Sequence, residues 1–324
     1  MKFLVTGVAG MIGSHLSEII IRDGHHIVGI DNLAVGSMDN IVDIAMNDNF
    51  EFHQVDIVSN SDALDNLIQD CDVVIHLAAL KKVTELQESL PTLEVNVLST
   101  LNILKLSLKY GKKMIFASTS DVYGVSEDIP FQEKNDVVIG SSTSKRWAYA
   151  VSKLYCEHLC IGYQKDKGLD VTILRFFGGF SEKSSFTWSG GHIPLFIDKL
   201  MKKEPIPIHG DGTQTRSMGH GSDLAYATYL AAVSKNASGE IINVGNNEEL
   251  SVIDTVWLLA EIMEIEKDSI KIEFIPEKIV FGDYKDLKRR IPNLDKAKEI
   301  LGYEPKVKLK DAIKMVIGSM KSNN

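Results

Sequence analysis

Cysteine is scarce: Cys71, Cys156 and Cys160 are the three in 324 residues. They are too few and too irregularly placed for a disulfide framework or a tetrahedral zinc site, so no metal is expected and a reducing compartment, the cytoplasm, is. Long apolar runs are missing too. None reaches the eighteen residues of a membrane span, and the chain opens straight into strand-like KFLVTG with no charged stretch ahead of an apolar one. Neither a membrane nor secretion is expected. Basic side chains are outnumbered, 35 to 44, for a net charge of -9 that repels a phosphate backbone. The basic cluster Lys285, Lys288, Arg289 and Arg290 is too short to reverse that, so nucleic acid is not an expected partner. Eight prolines and 24 glycines exclude collagen-like and low-complexity architectures.

What is present is 44% apolar and 24% charged, in a chain long enough, at about 150 residues per domain, for two domains with a real core. Up to residue 175, short β-branched runs alternate with helix-length segments, the pattern of βαβ units. Strands are expected at 2–6, 26–30, 51–55, 73–76, 113–117 and 171–174. These runs are apolar throughout rather than alternating, so both faces should be covered by helices, as in an α/β doubly wound parallel sheet. Helical periodicity marks 11–22, 84–109 and 144–165. Further on, 178–191 is rich in Gly and Ser, contains Trp188, and reads as a mobile loop. Strands at 206–209 and 214–218 flank a Gly210-Asp211-Gly212 turn, Asp223 reads as the cap of a helix at 224–233, and 241–244 as a strand returning to the main sheet. Ser251, with Asp254 after it, starts a helix running to Met263, and two more follow at 295–301, closed by Gly302, and 309–320.

Gly7, Gly10 and Gly13 form GVAGMIG between the first strand and the first helix. A dinucleotide site needs glycines here: one to turn the chain, one to admit a pyrophosphate against backbone, one to pack helix on strand. Asp31 ends the second strand, where a carboxylate accepts the ribose hydroxyls of NAD and repels a 2'-phosphate. Asp56, after the third strand, reads either as a contact to the adenine amino group or as a turn residue. Tyr149 and Lys153, four apart on a helix, share a face. An ammonium beside a buried phenol, with a positive nicotinamide ring nearby, is expected to favour phenolate, pull the phenol's pKa down towards neutral pH and make a base. Upstream, the turn 117–124 leaves a strand end, where such sheets bind ligands. Thr119 offers a hydroxyl to the same substrate oxygen, and Asp121 is either a working carboxylate or a turn residue.

Together these residues resemble the extended short-chain dehydrogenase/reductase family, in particular its nucleotide-sugar epimerases, dehydratases and decarboxylases. GVAGMIGSHL, VDI at 55–57, HLAA at 76–79, EVNVLSTLNIL around Asn96, the serine-threonine turn, YAVSK, RFF from Arg175, GDGTQTR ending at Arg216, NVG at Asn243 and RRIPNLDKAKEILGYEP from Arg289 fall in family order along nearly the whole chain. The resemblance implies a Rossmann domain at 1–175, with 216–246 returning to it, and a smaller α+β nucleotide-sugar domain from 176–215 and 247–324. It implies Thr119, Tyr149 and Lys153 as the catalytic triad, joined by Asp121. NAD would meet Gly7, Gly10, Met11, Ile12, Gly13, Asp31 and Asn32. Further along the groove it would meet Asp56, Ile57, the His76 to Ala79 run with Leu77 and Ala78, Asn96, Tyr149, Lys153 and Phe176. The substrate, a UDP-sugar by preference, would meet Lys81, Thr119, Ser120 and Gly178, with Arg216 and one of Arg289 or Arg290 clamping its diphosphate.

Departures from the family pattern narrow the activity. The turn has Ser120-Asp121 where 4,6-dehydratases have Asp-Glu, which disfavours dehydration. STSD with Arg146-Trp147 ahead of Tyr149 is close to the STSE of UDP-glucuronate decarboxylases, one methylene short. The residues after RFF, from Gly178 to Glu182, replace the usual Asn-x-Tyr-Gly-Pro, so an atypical sugar is expected, with the insert 184–192 supplying contacts. A 4-epimerase acting through a 4-keto intermediate is preferred. A UDP-glucuronate decarboxylase-like lyase and a net 4-dehydrogenase or ketoreductase remain as alternatives. The retained triad argues against a scaffold without turnover. The segment 93–108 carries more apolar residues than one buried face needs, so it and the Tyr149 helix are expected to form a homodimer interface.

Overall fold

A computed structural model describes residues 1–81, 88–187, 190–281 and 287–322. The apolar runs of the first half become β1 (Lys2–Thr6), β2 (His26–Asp31), β3 (Phe50–Gln54), β4 (Val73–His76), β5 (Lys113–Thr119) and β6 (Val171–Phe176). Between them run α1 (Met11–Arg22), α2 (Ser61–Gln69), α3 (Leu90–Tyr110) and α4 (Ala148–Lys167). The second half contributes β7 (Gly178–Phe180), α5 (His192–Met201), β8 (Ile206–His209), β9 (Thr215–His220), α6 (Gly221–Val233), β10 (Ile241–Val244) and β11 (Glu249–Ser251). It ends with α7 (Val252–Met263), β12 (Ile272–Ile275), α8 (Glu277–Phe281), β13 (Arg289–Arg290), α9 (Asp295–Leu301) and α10 (Leu309–Ser322). The main sheet is parallel in the order β3-β2-β1-β4-β5-β6-β10, a Rossmann arrangement extended by one strand. Its order reverses between β1 and β4, which opens a crevice above their carboxyl ends.

Burial explains the layers. On one face Leu16 and Ile20 of α1 pack with Leu224 of α6; on the other, Leu64, Ile103 and Cys156 of α2, α3 and α4 cover the strands. Each such apolar side chain contributes about 1.5–3 kcal/mol by leaving water. A second core joins Phe196 of α5, Ile208 of β8, Leu259 of α7 and Ile313 of α10. The buried stripe of α3 is made of Thr92, Asn96, Ser99, Thr100 and Ser107 alongside Ile103 and Leu104, small side chains that bring α4 close. Leu98 is left exposed.

Three expectations are corrected. The helix expected from residue 84 begins at Leu90, with Pro91 in its first turn; residues 82–87 lie outside the described ones. The expected loop 178–191 opens with a strand, β7, parallel to β9. A Cβ on Gly178 would sit 2.4 Å from Met218 Sδ, and one on Gly179 2.4 Å from Leu224 Cδ1, so glycine here serves close packing. Trp188 lies outside the described residues. Asp223 does not cap α6: the helix starts at Gly221, and His220 Nδ1 accepts the Ser222 amide. The Asp223 carboxylate instead accepts the amides of Lys306 and Val307, at 3.0 and 2.9 Å. Ser251 does cap α7, as expected, by accepting the Asp254 amide. Among the described residues, no helix is long and apolar enough to cross a membrane.

Candidate active site

The groove over the crevice is built by the turn after β1. Gly7, at φ +73°, would place a Cβ 2.8 Å from the Ala78 amide nitrogen, and Gly13 would place one 2.3 Å from Gly7 O. Only glycine lets these segments meet. Gly10 begins α1 with no side-chain cap, and no acidic residue occupies the first turn. The first-turn amides and the helix dipole therefore favour an anion, which fits a pyrophosphate. Asp31 is aimed by two amides, Ala9 to Oδ2 at 3.0 Å and Leu33 to Oδ1 at 2.8 Å, and each oxygen keeps a lone pair for a ribose hydroxyl. Asn32, Asp56, Ile57, Leu77, Ala78 and Ala79 share this cavity of about 210 Å³ with Asp31. Asp56 also takes the turn role, accepting the Val58 and Ser59 amides and the Asn32 side chain.

Two residues assigned to the cofactor by resemblance line neither this cavity nor the one into which the groove continues. Asn96 bonds both Leu80 N and Leu80 O and donates to Ser152 Oγ, tying the chain after β4 to α3 and α4. His76 is fully buried between Thr6 Oγ1 (2.8 Å) and Thr100 Oγ1 (3.2 Å), and burial pulls it down to about 3, so it stays neutral.

The groove continues into a cavity of about 350 Å³ lined by Met11, Ile12, Lys81, Thr119, Ser120, Asp121, Tyr149, Lys153, Phe176, Gly178 and Arg290. The sequence reading therefore assembles in one place residues drawn from β5, α4, β6, β7 and β13. Ser184, Ser185 and Gly190 join the lining, from the insert expected to contribute, with Lys183 just ahead of it. Lys153 Nζ donates to Ala117 O at 2.8 Å and lies 4.8 Å from the centre of the Phe116 ring. Burial lowers its pKa to about 8. Among the protein's own groups, burial pushes the Tyr149 phenol up, the Asp121 charge adds to that, and the Thr119 hydroxyl opposes it; the lowering expected beside a nicotinamide ring concerns the NAD-bound site. The physical reason is that the same dry pocket penalises both charges, and the groups facing the phenol are a carboxylate and a hydroxyl.

Asp121 is neither a free base nor a simple turn residue. Its Oδ1 accepts from Arg146 Nη2 at 3.0 Å and Arg290 Nη1 at 2.6 Å, while Thr119 Oγ1 lies 3.3 Å from Oδ2. Burial works against its charge, yet Arg290, Arg146 and Lys81 hold the carboxyl well below its ordinary range. Arg289, the alternative diphosphate ligand, is corrected away from the cavity: strand alternation turns it outward, where it forks onto Glu249 at 2.8 Å. Arg216 pairs in register with Arg290, and its Nη1 donates to Thr215 O and Leu287 O. Sequence reading missed a second buried network, in which Glu157 accepts from Ser118 Oγ (2.5 Å) and from Arg175 Nε and Nη2 (3.0 and 2.7 Å). Glu157 follows Lys153 by one helical turn, a spacing visible in the sequence, but its partners are not local.

The family described as GDP-mannose 4,6 dehydratase matches residues 4–316. The chain belongs to that family. Its extended short-chain dehydrogenase/reductase relatives include the UDP-N-acetyl-alpha-D-glucosaminuronate decarboxylase of Bacillus cytotoxicus, 35% identical over 98% of this chain and 96% of the relative. Among solved structures, UDP-glucuronic acid 4-epimerase from Bacillus cereus, crystallised with UDP-glucuronic acid and NAD, superposes with a TM-score of 0.89 at 31% identity and full coverage of both chains. UDP-glucose 4-epimerase from Thermotoga maritima, with UDP-glucose, gives 0.86 at 27% identity, covering 100% of this chain and 99% of that one. The family is thus NAD-dependent and acts on nucleotide sugars, with more than one outcome among its members.

Proposed function

We propose that this protein is an NAD-dependent 4-epimerase of a UDP-uronate, acting through a 4-keto sugar. The observation that carries the reading is that two cationic side chains, Lys81 and Arg290, line the cavity that holds Thr119, Tyr149 and Lys153. Cationic groups there favour an anionic substrate group, and a C6 carboxylate lies next to the reacting end of the sugar. This reading assigns Arg290 to the sugar and leaves the diphosphate to Arg216. The Bacillus cytotoxicus and Bacillus cereus relatives both carry a uronate in their names, which supports the same class.

In this mechanism Tyr149 takes the C4 hydroxyl proton and Thr119 steadies that oxygen through its own hydroxyl. Lys153, charged below pH about 8, supplies the positive field that a phenolate needs in a buried site and holds the ribose. NAD, when bound, would supply a reversible hydride acceptor for C4. Because Arg290, Arg146 and Lys81 hold the Asp121 carboxyl well below its ordinary range, it is a poor base for the C5 proton, which argues against elimination of water. Return of hydride to the other face of the rotated 4-keto sugar gives the epimer.

Decarboxylation is the second reading, favoured by the 35% identical relative. It shares the substrate and the first step, since a 4-keto uronate is a β-keto acid that loses carbon dioxide without a base. Purified protein incubated with UDP-glucuronate, its N-acetylated counterpart and the matching neutral sugars, with no cofactor added, separates these by product mass. A new peak of unchanged mass from a uronate supports epimerisation. Loss of carbon dioxide selects the second reading, and accumulation of NADH selects net dehydrogenation. Turnover of neutral sugars alone overturns the uronate assignment.

A homodimer completes the proposal. Leu98 on α3 with Val151 and Tyr155 on α4 are exposed apolar side chains on two helices that pack together, a surface suited to the same helices of a second copy. Light scattering should give twice the chain mass of 35.9 kDa; the monomer mass removes the idea.

A further inference from the structure

One turn along α1 from Met11, which lines the cavity, three segments bring His15, Glu182 and His220 together, with one ligand atom of each within 4.8 Å of the others. His220 Nε2 lies 3.1 Å from Glu182 Oε2, and His15 Nε2 lies 3.5 Å from Glu182 Oε1. The His15 side chain is nine-tenths buried, its Nε2 has no hydrogen-bond partner, and it points into this cluster. Its Nδ1 faces Glu18 Oε2 at 3.7 Å. With the ring proton on that side, Nε2 turns a bare lone pair towards a carboxylate oxygen, an arrangement completed by a positive centre between them.

We propose that His15, Glu182 and His220 bind one divalent transition ion of the zinc class. Zinc bonds of 2.0–2.1 Å set tetrahedral ligands about 3.3–3.5 Å apart, close to the two separations measured here. Second partners are in place for both rings: Glu18 beside His15 Nδ1, and Ser222 Oγ 2.7 Å from His220 Nδ1. For His220 to coordinate through Nε2, its ring proton moves to Nδ1 and is donated to Ser222 Oγ; the 3.3 Å bond from the Ser222 amide is given up. Glu182 presents one carboxylate oxygen to each of the two rings. Glu182 is the most accessible of the three and leaves the fourth position to water. The nearby Lys183 ammonium is already engaged by Glu18 and Asn40 O. A bound ion would tie α1, which begins at the pyrophosphate groove, to the segment bearing Lys183, Ser184 and Ser185 in the cavity lining.

The test uses the full chain stripped with a chelator and then titrated with zinc against a chromophoric competitor. Wild type should take up one zinc per chain and show a rise in Tm on zinc addition. Glu182→Gln and His15→Gln should take up none, with zinc-free Tm values recorded to establish folding. X-ray absorption should show nitrogen and oxygen neighbours and no sulfur. No uptake by wild type, uptake kept in both folded variants, or sulfur in the shell overturns the site; the first result leaves a proton, not a metal, between His15 and Glu182.

Discussion

Two buried arginine–carboxylate clusters lie on either side of the strand end that carries Thr119, and they are balanced differently. Behind it, Glu157 meets one arginine, Arg175, which forks onto both of its oxygens, and Ser118 completes the set. In front, Asp121 offers one oxygen to two arginines, with Lys81 adding to the field. A matched pair satisfies itself and fastens helix to sheet, and leaving one partner alone is costly. In the overmatched cluster two arginines share one carboxylate oxygen, and one of them, Arg290, also lines the cavity. The first cluster fastens the framework; the second is the one we propose meets the sugar. Lys153 is the limiting case, a buried cation bonded to a carbonyl rather than to a carboxylate.

Removing that unmatched cation should have the largest effect. Lys153→Met is expected to lower turnover by ~10³-fold or more, on the scale of losing a general acid–base group and its field. Stability should move the other way. The folded pKa of about 8 lies below the model value of 10.5, so the unfolded chain binds this proton more tightly. The penalty is fully present below pH 8 and fades as pH rises towards 10.5. The variant should therefore gain on the order of 1–3 kcal/mol over wild type at pH 7, with the gap closing by pH 10 in urea melts.

Breaking the matched cluster comes next. Glu157→Gln strands Arg175 in a dry interior and should cost about 3–5 kcal/mol, read as a fall in the denaturation midpoint. If instead the protein keeps its midpoint and loses only turnover, the framework role assigned to Glu157 is wrong. In the overmatched cluster, Arg290→Met should raise KM for a UDP-uronate ~10–100-fold and leave the matching neutral sugar within a few-fold, in steady-state kinetics on both substrates. Equal losses on both would place Arg290 at the diphosphate. The smallest effect belongs to its neighbour: Arg289→Ala breaks an exposed pair with Glu249 and should change stability by less than about 1 kcal/mol, with kinetics unaltered.

The sequence made one of these regions far easier to read than the other. The glycines after β1, Asp31, and Tyr149 with Lys153 are local patterns, because a turn, a strand end and a four-residue helical spacing each fix their own geometry. Residue-level reasoning therefore carried the parallel sheet and the glycine-built groove above it, with Asn96 and His76 buried outside the cavity lining. The overmatched cluster depends on partners 25 and 169 residues from Asp121, and no local pattern encodes such pairings. Which of Arg289 and Arg290 faces inward was likewise set by a two-residue strand, β13, too short to announce its alternation. Strand β7 was hidden because its glycines resemble a loop until β9 lies against them. Asp223 looked like a cap because Asp favours that position, yet His220 filled it and freed the carboxylate for the C-terminal segment.

The central claim is that the cationic lining contributed by Lys81 and Arg290 selects an anionic sugar. The most direct measurement is kcat/KM of the wild-type protein on UDP-glucuronate and on UDP-glucose, side by side under one buffer. A preference for the uronate of ~10²-fold or more is predicted, as a charge-assisted pair in a buried site provides. Equal values, or a preference for the neutral sugar, would contradict it.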